Sequence, residues 1–231
     1  MKPCIQIAGV RNLEEVQLLL REGVDDIGFP LGPGVKVLDV SEESAVQLIK
    51  AIPPPHAAVF ITYLGKAREI AEYCSRLGVR KVQLHGAIAS SEMRELKVLM
   101  PGLFIIRSLV VEKENLVALE KEVEVSQGLV DAFLTDTFDP KAGARGATGK
   151  THDWSVSQRL IQLSKKPVIL AGGLTPENVA ESILATQPAG VDSHTGVERA
   201  DGAKDPERVK RFVSEARRAF SLIRNRLQEA P

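Results

Sequence analysis

The chain has 231 residues, with 30 Lys plus Arg against 30 Asp plus Glu. This balance removes the electrostatic case for nucleic acid or an anionic membrane surface as partner. Two cysteines, Cys4 and Cys74, are too few for a disulfide framework, and no apolar stretch approaches the roughly 20 residues that span a bilayer. The apolar run at the N-terminus is too short for a signal peptide, so the expected location is the cytoplasm. With an apolar fraction of 44% but only 4% aromatics, the core must be aliphatic.

Short apolar runs and amphipathic segments alternate along the chain. Cys4–Ala8 reads as a buried strand and Leu13–Arg21 as the helix after it. The pattern repeats as Asp26–Phe29 with Glu42–Ala51, Ala57–Thr62 with Lys66–Leu77, and Lys81–Leu84 with Ser91–Leu99. It continues as Leu103–Arg107 with Asn115–Val125, Asp131–Thr135 with Ser155–Leu163, Pro167–Ala171 with Pro176–Leu184, and Gly190–Ser193 with Pro206–Leu227. In the last helix Val209, Phe212, Val213, Ala216, Phe220 and Ile223 recur at spacings of three and four, one apolar stripe. Pro53-Pro54-Pro55 merely ends the second helix. Strand–helix alternation requires right-handed crossovers and a parallel sheet. Eight such units favour closure, so the expected architecture is α/β, a single (β/α)8 TIM barrel over residues 1–231, with an open doubly wound sheet as the competitor. The connection from Asp136 to Asp153 is the one long loop, a length that usually marks a functional segment such as a lid.

Two strand ends carry the chemistry of an anion site. In Leu170-Ala171-Gly172-Gly173-Leu174-Thr175-Pro176, paired glycines let the backbone approach a ligand closely. Pro176 suits the first turn of a helix, with Thr175 as its cap. In Val191-Asp192-Ser193-His194-Thr195-Gly196, hydroxyls and amides can gather around an anion. Barrels commonly bind phosphate after their last two strands, so Gly172, Gly173, Thr195 and Gly196 are the candidate phosphate grip. The alternative is that these glycines only permit tight turns. No P-loop or Gly-x-Gly-x-x-Gly follows the first strand, and no cofactor is expected.

An ordered set of motifs spans the chain: Gln6-Ile7-Ala8-Gly9, Gly28-Phe29, Val82-Gln83-Leu84-His85-Gly86, Thr148-Gly149-Lys150-Thr151, Ala171-Gly172-Gly173-Leu174-Thr175-Pro176-Glu177-Asn178, and Val191-Asp192 to Gly196-Val197-Glu198 with Lys204-Asp205. This set resembles the phosphoribosylanthranilate isomerase family of tryptophan biosynthesis. The resemblance implies an Amadori rearrangement, in which an aminoaldose phosphate opens its ring and becomes an aminoketose. That reaction needs a general acid for the ring oxygen and a general base for the sugar C2 proton.

The family acid, an Asp ending strand six, corresponds to Asp136. The family base is the Cys of a Lys-Ile-Cys-Gly motif on strand one. Here both the Lys and the Cys are replaced, by Gln6 and Ala8. Cys4 faces the same side as Ala8 but lies about 13 Å down the strand, where it reads as a core residue. After strand two the family carries an Arg; here Gly32-Pro33-Gly34-Val35-Lys36 offers a Lys without the planar fork of Arg. His194 stands where Ser is usual, and His152 where Phe is common.

His85, Asp136 and His194 are the catalytic candidates, since strands four, six and eight bring their ends to one mouth and His titrates near neutrality. Each His has the alternative reading of a hydrogen-bonded rim residue. The same three with Asp192 would be the set for a divalent metal, although none is expected. Gln83, Arg107 and Asp192 are candidate substrate contacts, Arg107 alternatively pairing with a neighbouring acid. Lys150 is a further candidate for reaching phosphate. His56 falls on the opposite face, and Trp154 reads as buried. Three functions stay open: the family reaction, an isomerase or lyase acting on another sugar phosphate, and an inactive phosphometabolite-binding protein. In each the partner is a phosphorylated small molecule and the protein a monomer or homodimer.

Overall fold

A computed structural model describes residues 2–36, 38–139, 144–145 and 153–229. The elements run β1 (Cys4–Ala8), α1 (Leu13–Arg21), β2 (Asp26–Pro30), α2 (Glu42–Lys50), β3 (Ala57–Thr62), α3 (Ala67–Leu77), β4 (Lys81–Leu84) and α4 (Ser90–Leu99). They continue as β5 (Phe104–Val111), α5 (Leu116–Ser126), β6 (Ala132–Asp139), α6 (Trp154–Leu163), β7 (Val168–Leu170), α7 (Val179–Thr186), β8 (Gly190–Ser193) and α8 (Pro206–Glu229). Each of these strands pairs in parallel with the next, and β8 returns to β1 with Gln6 opposite Asp192, so the sheet closes. The closed barrel excludes the open doubly wound sheet.

Local chemistry sets the helix ends. Asn12 and Ser41 cap α1 and α2 by accepting from the amides of Glu15 and Ser44. Gly78, at φ 72°, ends α3 in the left-handed conformation that side chains avoid. Alternation along the strands then builds two apolar layers. One lies between sheet and helices around Phe29, Phe60, Phe133 and Phe212. The other fills the barrel axis with Ala8, Val59, Ile61, Ile106, Leu134 and Ile169, so the barrel is a packed core rather than a pore.

Three boundaries depart from expectation. β5 and β6 overrun their predicted ends at Arg107 and Thr135, because they pair with each other as far as Val111 and Thr137. Beyond that, a two-residue strand, Ala144–Arg145, pairs antiparallel with Phe138 and Asp139. The third is α7, which begins at Val179 rather than Pro176. Asn178 Oδ1 accepts from the Thr175 amide (2.8 Å) and its Nδ2 donates to the Gly173 carbonyl (3.0 Å), which holds residues 175–178 in a turn.

Candidate active site

The phosphate end is built from backbone. Beyond β7, Gly172 and Gly173 take φ values of 93° and 64°, a path that any residue with a Cβ would resist. Their N–H groups donate to no acceptor among the described residues. Gly196 lies so close to this turn that a Cβ on it would overlap the Leu174 carbonyl oxygen. Ser193 Oγ donates to that same oxygen (2.8 Å), and Arg208 donates to the Gly196 carbonyl through Nε (3.1 Å) and Nη2 (2.9 Å). The two turns are thus locked together. One pocket is lined by all four predicted phosphate residues, Gly172, Gly173, Thr195 and Gly196. Asp136, Asp192 and His194 line the same pocket.

The strand interiors supply a polar row beneath that pocket. Gln6 Nε2 donates to Gln83 Oε1 (2.9 Å), Gln83 Nε2 to Ser108 Oγ (3.3 Å), and Ser108 Oγ lies 2.9 Å from His85 Nδ1. His85 Nε2 is 3.9 Å from Asp136 Oδ2, so two of the predicted catalytic groups do meet. The Tyr63 ring stands edge-on to His85, with centroids 4.9 Å apart. Burial drives the Asp136 carboxyl above its ordinary range, opposed by His85, the Thr137 amide and His194. Asp192 is pushed up to about 7, first by burial and then by the charge of Asp136; His194, a hydrogen bond from Gln6, and Lys204 pull the other way.

Two expected substrate contacts are corrected. Arg107 lies inside the longer β5, where alternation puts Ile106 and Ser108 in the barrel and Arg107 outside it. Its Nε bonds Glu122 of α5 (3.0 Å), and its Nη1 bonds the carbonyls of Leu84 (3.0 Å) and Gly86 (2.6 Å). Of its two readings, pairing with a neighbouring acid is the one realised. Gln83 faces inward, but both ends of its amide are engaged by Gln6 and Ser108, so it supports the site from below.

His194 reaches the mouth but turns aside. A Cβ on Gly9 would overlap its ring, and its Nε2 lies 3.6 Å from Asp39 and 3.4 Å from Glu198. The fully buried Lys204 Nζ pairs with Glu198 at 2.7 Å. Burial pushes Asp39 up, but its hydrogen bond to His194 and the charges of His194, Lys204 and Arg11 hold the carboxyl below its usual value. Sequence reading assigned no role to Asp39, the last residue of the run that follows strand two, or to Tyr63. Glu198 and Lys204 sit within a recognised motif, but only the fold shows that they face His194.

Elsewhere the readings agree with position. Cys4 is half-buried at the base of the barrel, its Sγ 3.4 Å from Asp26 Oδ2; burial of the thiol foremost, then Asp26, pushes it up. His56 Nδ1 lies 2.7 Å from the Val24 carbonyl oxygen, away from the mouth. Trp154 opens α6 and packs against the core. Lys150, His152 and most of the expected lid lie outside the described residues. Among the described residues no group of three or more His, Cys, Asp or Glu is arranged to hold a metal ion, and no helix is long and apolar enough to cross a membrane.

Comparison with known proteins decides the lineage. The profile of the N-(5'phosphoribosyl)anthranilate (PRA) isomerase family matches residues 5–215. The chain belongs to this family. It is 34% identical to N-(5'-phosphoribosyl)anthranilate isomerase 2 of Methanosarcina mazei, over 96% of this chain and 97% of the relative. The crystal structure of the PRA isomerase of Thermotoga maritima superposes with a TM-score of 0.78 at 27% identity, covering 93% of this chain and 98% of that one. A PRA isomerase solved with reduced 1-(o-carboxyphenylamino)-1-deoxyribulose 5-phosphate superposes with a TM-score of 0.76 at 26% identity, with the same coverage. In this chain the glycine turns and Asp136 line one pocket, and β1 presents Gln6 and Ala8.

Proposed function

We propose that this protein catalyses the aldose–ketose rearrangement of N-(5'-phosphoribosyl)anthranilate in tryptophan biosynthesis. The observation that carries the proposal is that one pocket joins an anion cradle to a buried acid. Gly172, Gly173, Thr195 and Gly196 line one side of it and Asp136 the other. Backbone amides at the cradle would take the phosphate. Burial raises the Asp136 carboxyl and so favours its protonated form, which can give its proton to the ring oxygen as the C1–O bond breaks and the nitrogen lone pair forms a C=N bond. Removal of the C2 proton then yields an enolamine, which tautomerises to the aminoketose. The sequence of steps is redox-neutral, so the reaction itself calls for no redox cofactor.

His85 stands behind Asp136, oriented by Ser108, and would keep the carboxyl aimed into the pocket. The pocket is lined within one chain, so a monomer or a homodimer would serve. The free cysteines Cys4 and Cys74 suit a reducing cytoplasm.

The test is direct turnover of N-(5'-phosphoribosyl)anthranilate by the purified protein. Wild-type turnover that falls by about 10²–10⁴-fold in Asp136→Asn supports the reading. A wild-type protein without turnover overturns it.

A further inference from the structure

The proposed reaction needs a group that accepts the C2 proton, and the methyl of Ala8 cannot. We propose that Asp192 is this base, so that proton abstraction passes from the end of β1 to the neighbouring strand β8. The proposal rests on the isomerase reading above.

Geometry comes first. Asp192 pairs in register with Gln6, one inward-facing position below Ala8 on the adjoining strand. It lines the pocket that holds Asp136 and the glycine turns. Only 8% of the residue is exposed, and its Oδ1 has no hydrogen-bond partner, so one carboxylate oxygen stands ready to accept. Among the described residues Asp192 has no ion-pair partner, and the group that donates to it, the Gln6 amide, is neutral.

Two other acids of the barrel are paired with lysines. Asp26 is gripped by Lys81, and Glu198 by Lys204. The charges that reach Asp192 are those of Asp136, His194 and Lys204, acting at a distance. A carboxyl that titrates at about 7 under those influences is well matched to a base working near neutrality. Two carboxyls in one pocket resist ionising together, so the pair can hold one proton and present one acceptor. His194 fits the role less well, because its Nε2 is engaged over Gly9 with Asp39 and Glu198.

The step balances. The C2–H bond breaks and the proton passes to Asp192. The bonding pair becomes the C1=C2 bond, and the C=N π pair settles on nitrogen.

Asp192→Asn preserves shape and is expected to lower kcat by about 10²–10⁴-fold with KM within a few-fold. It should also abolish an acid limb of kcat near pH 7. Adding Ala8→Cys to that variant should recover at least about 10-fold in kcat, since it returns a proton acceptor to β1. Gln6→Lys puts a cation opposite Asp192 and should move the acid limb to lower pH.

The outcomes separate cleanly. A wild type without turnover fails the isomerase reading and this base with it. An active wild type whose Asp192→Asn variant keeps kcat within about threefold overturns the base alone, because a lost proton acceptor costs far more. So does a His194→Gln variant that loses turnover while Asp192→Asn retains it.

Discussion

Two buried aspartates mark the two ends of the barrel axis, and they live under opposite conditions. Asp26, at the base, is 3% exposed and accepts Lys81 Nζ at 2.8 and 2.7 Å, with the Cys4 thiol beside it. Asp192, at the mouth, is 8% exposed and is met by the amide of Gln6 alone. A buried carboxylate with a bonded cation is stable in its charged form. One without a cation is held near the point of protonation. At the base of the barrel a lysine holds the carboxylate, whereas at the mouth Asp192 has no ion-pair partner among the described residues. This is the division between stability face and active face that barrels show in general.

The largest expected effect breaks this contrast from the mouth. Asp136→Asn should remove about 10²–10⁴-fold of kcat while leaving the urea midpoint unchanged or higher, because the amide keeps the shape of a carboxyl whose charged form burial disfavours. A midpoint that falls with activity would show that Asp136 supports the fold instead.

The next breaks it from the base. Lys81→Met strands Asp26 as an unpaired buried charge and should cost about 3 kcal/mol of unfolding free energy in urea titrations. Turnover per folded molecule should persist; a proportional loss of kcat would show that the two ends are coupled.

Gly196→Ala tests the phosphate side. A Cβ there overlaps the Leu174 carbonyl oxygen, so the two turns must part. A rise in KM of about 10-fold is expected, with kcat less affected, since each 1.4 kcal/mol of lost binding is one decade. A fall in kcat at unchanged KM would count against a binding role.

The smallest effect is a slope. Asp192 in the folded protein is pushed up to about 7, above the ordinary aspartate value of 3.8, so the unfolded chain holds fewer protons between those values. Stability from this group is therefore greatest below about pH 4 and declines as pH rises toward 7, by at most about 1.4 kcal/mol per unit. Urea midpoints between pH 4.5 and 7 should fall less steeply in Asp192→Asn than in the wild type. Parallel slopes would mean that Asp192 is not held near protonation.

The order of strands and helices, the barrel class and the glycine turns were legible from the amino-acid sequence, because each rests on local rules. Period-two and helical patterning are readable within ten residues, and Gly172-Gly173 declares a backbone path that other residues avoid. The place of Asp136 in the pocket was legible as well, from its position at a strand end. The loss of the base was equally plain, since Ala8 has no proton to exchange.

Which groups surround Ala8 was not legible, because that depends on which residues closure brings together. Gln6 and Gln83 are 77 positions apart yet share a hydrogen bond, and β8 meets β1 only when the sheet returns on itself. The direction of Arg107 was hidden for the same reason: β5 continues to Val111 because β6 pairs with it, and Glu122 claims the guanidinium from outside. The chain alone determined the scaffold and its glycine turns. Tertiary structure decided which buried carboxyl lacks a cation, since pairing is a property of neighbours in space.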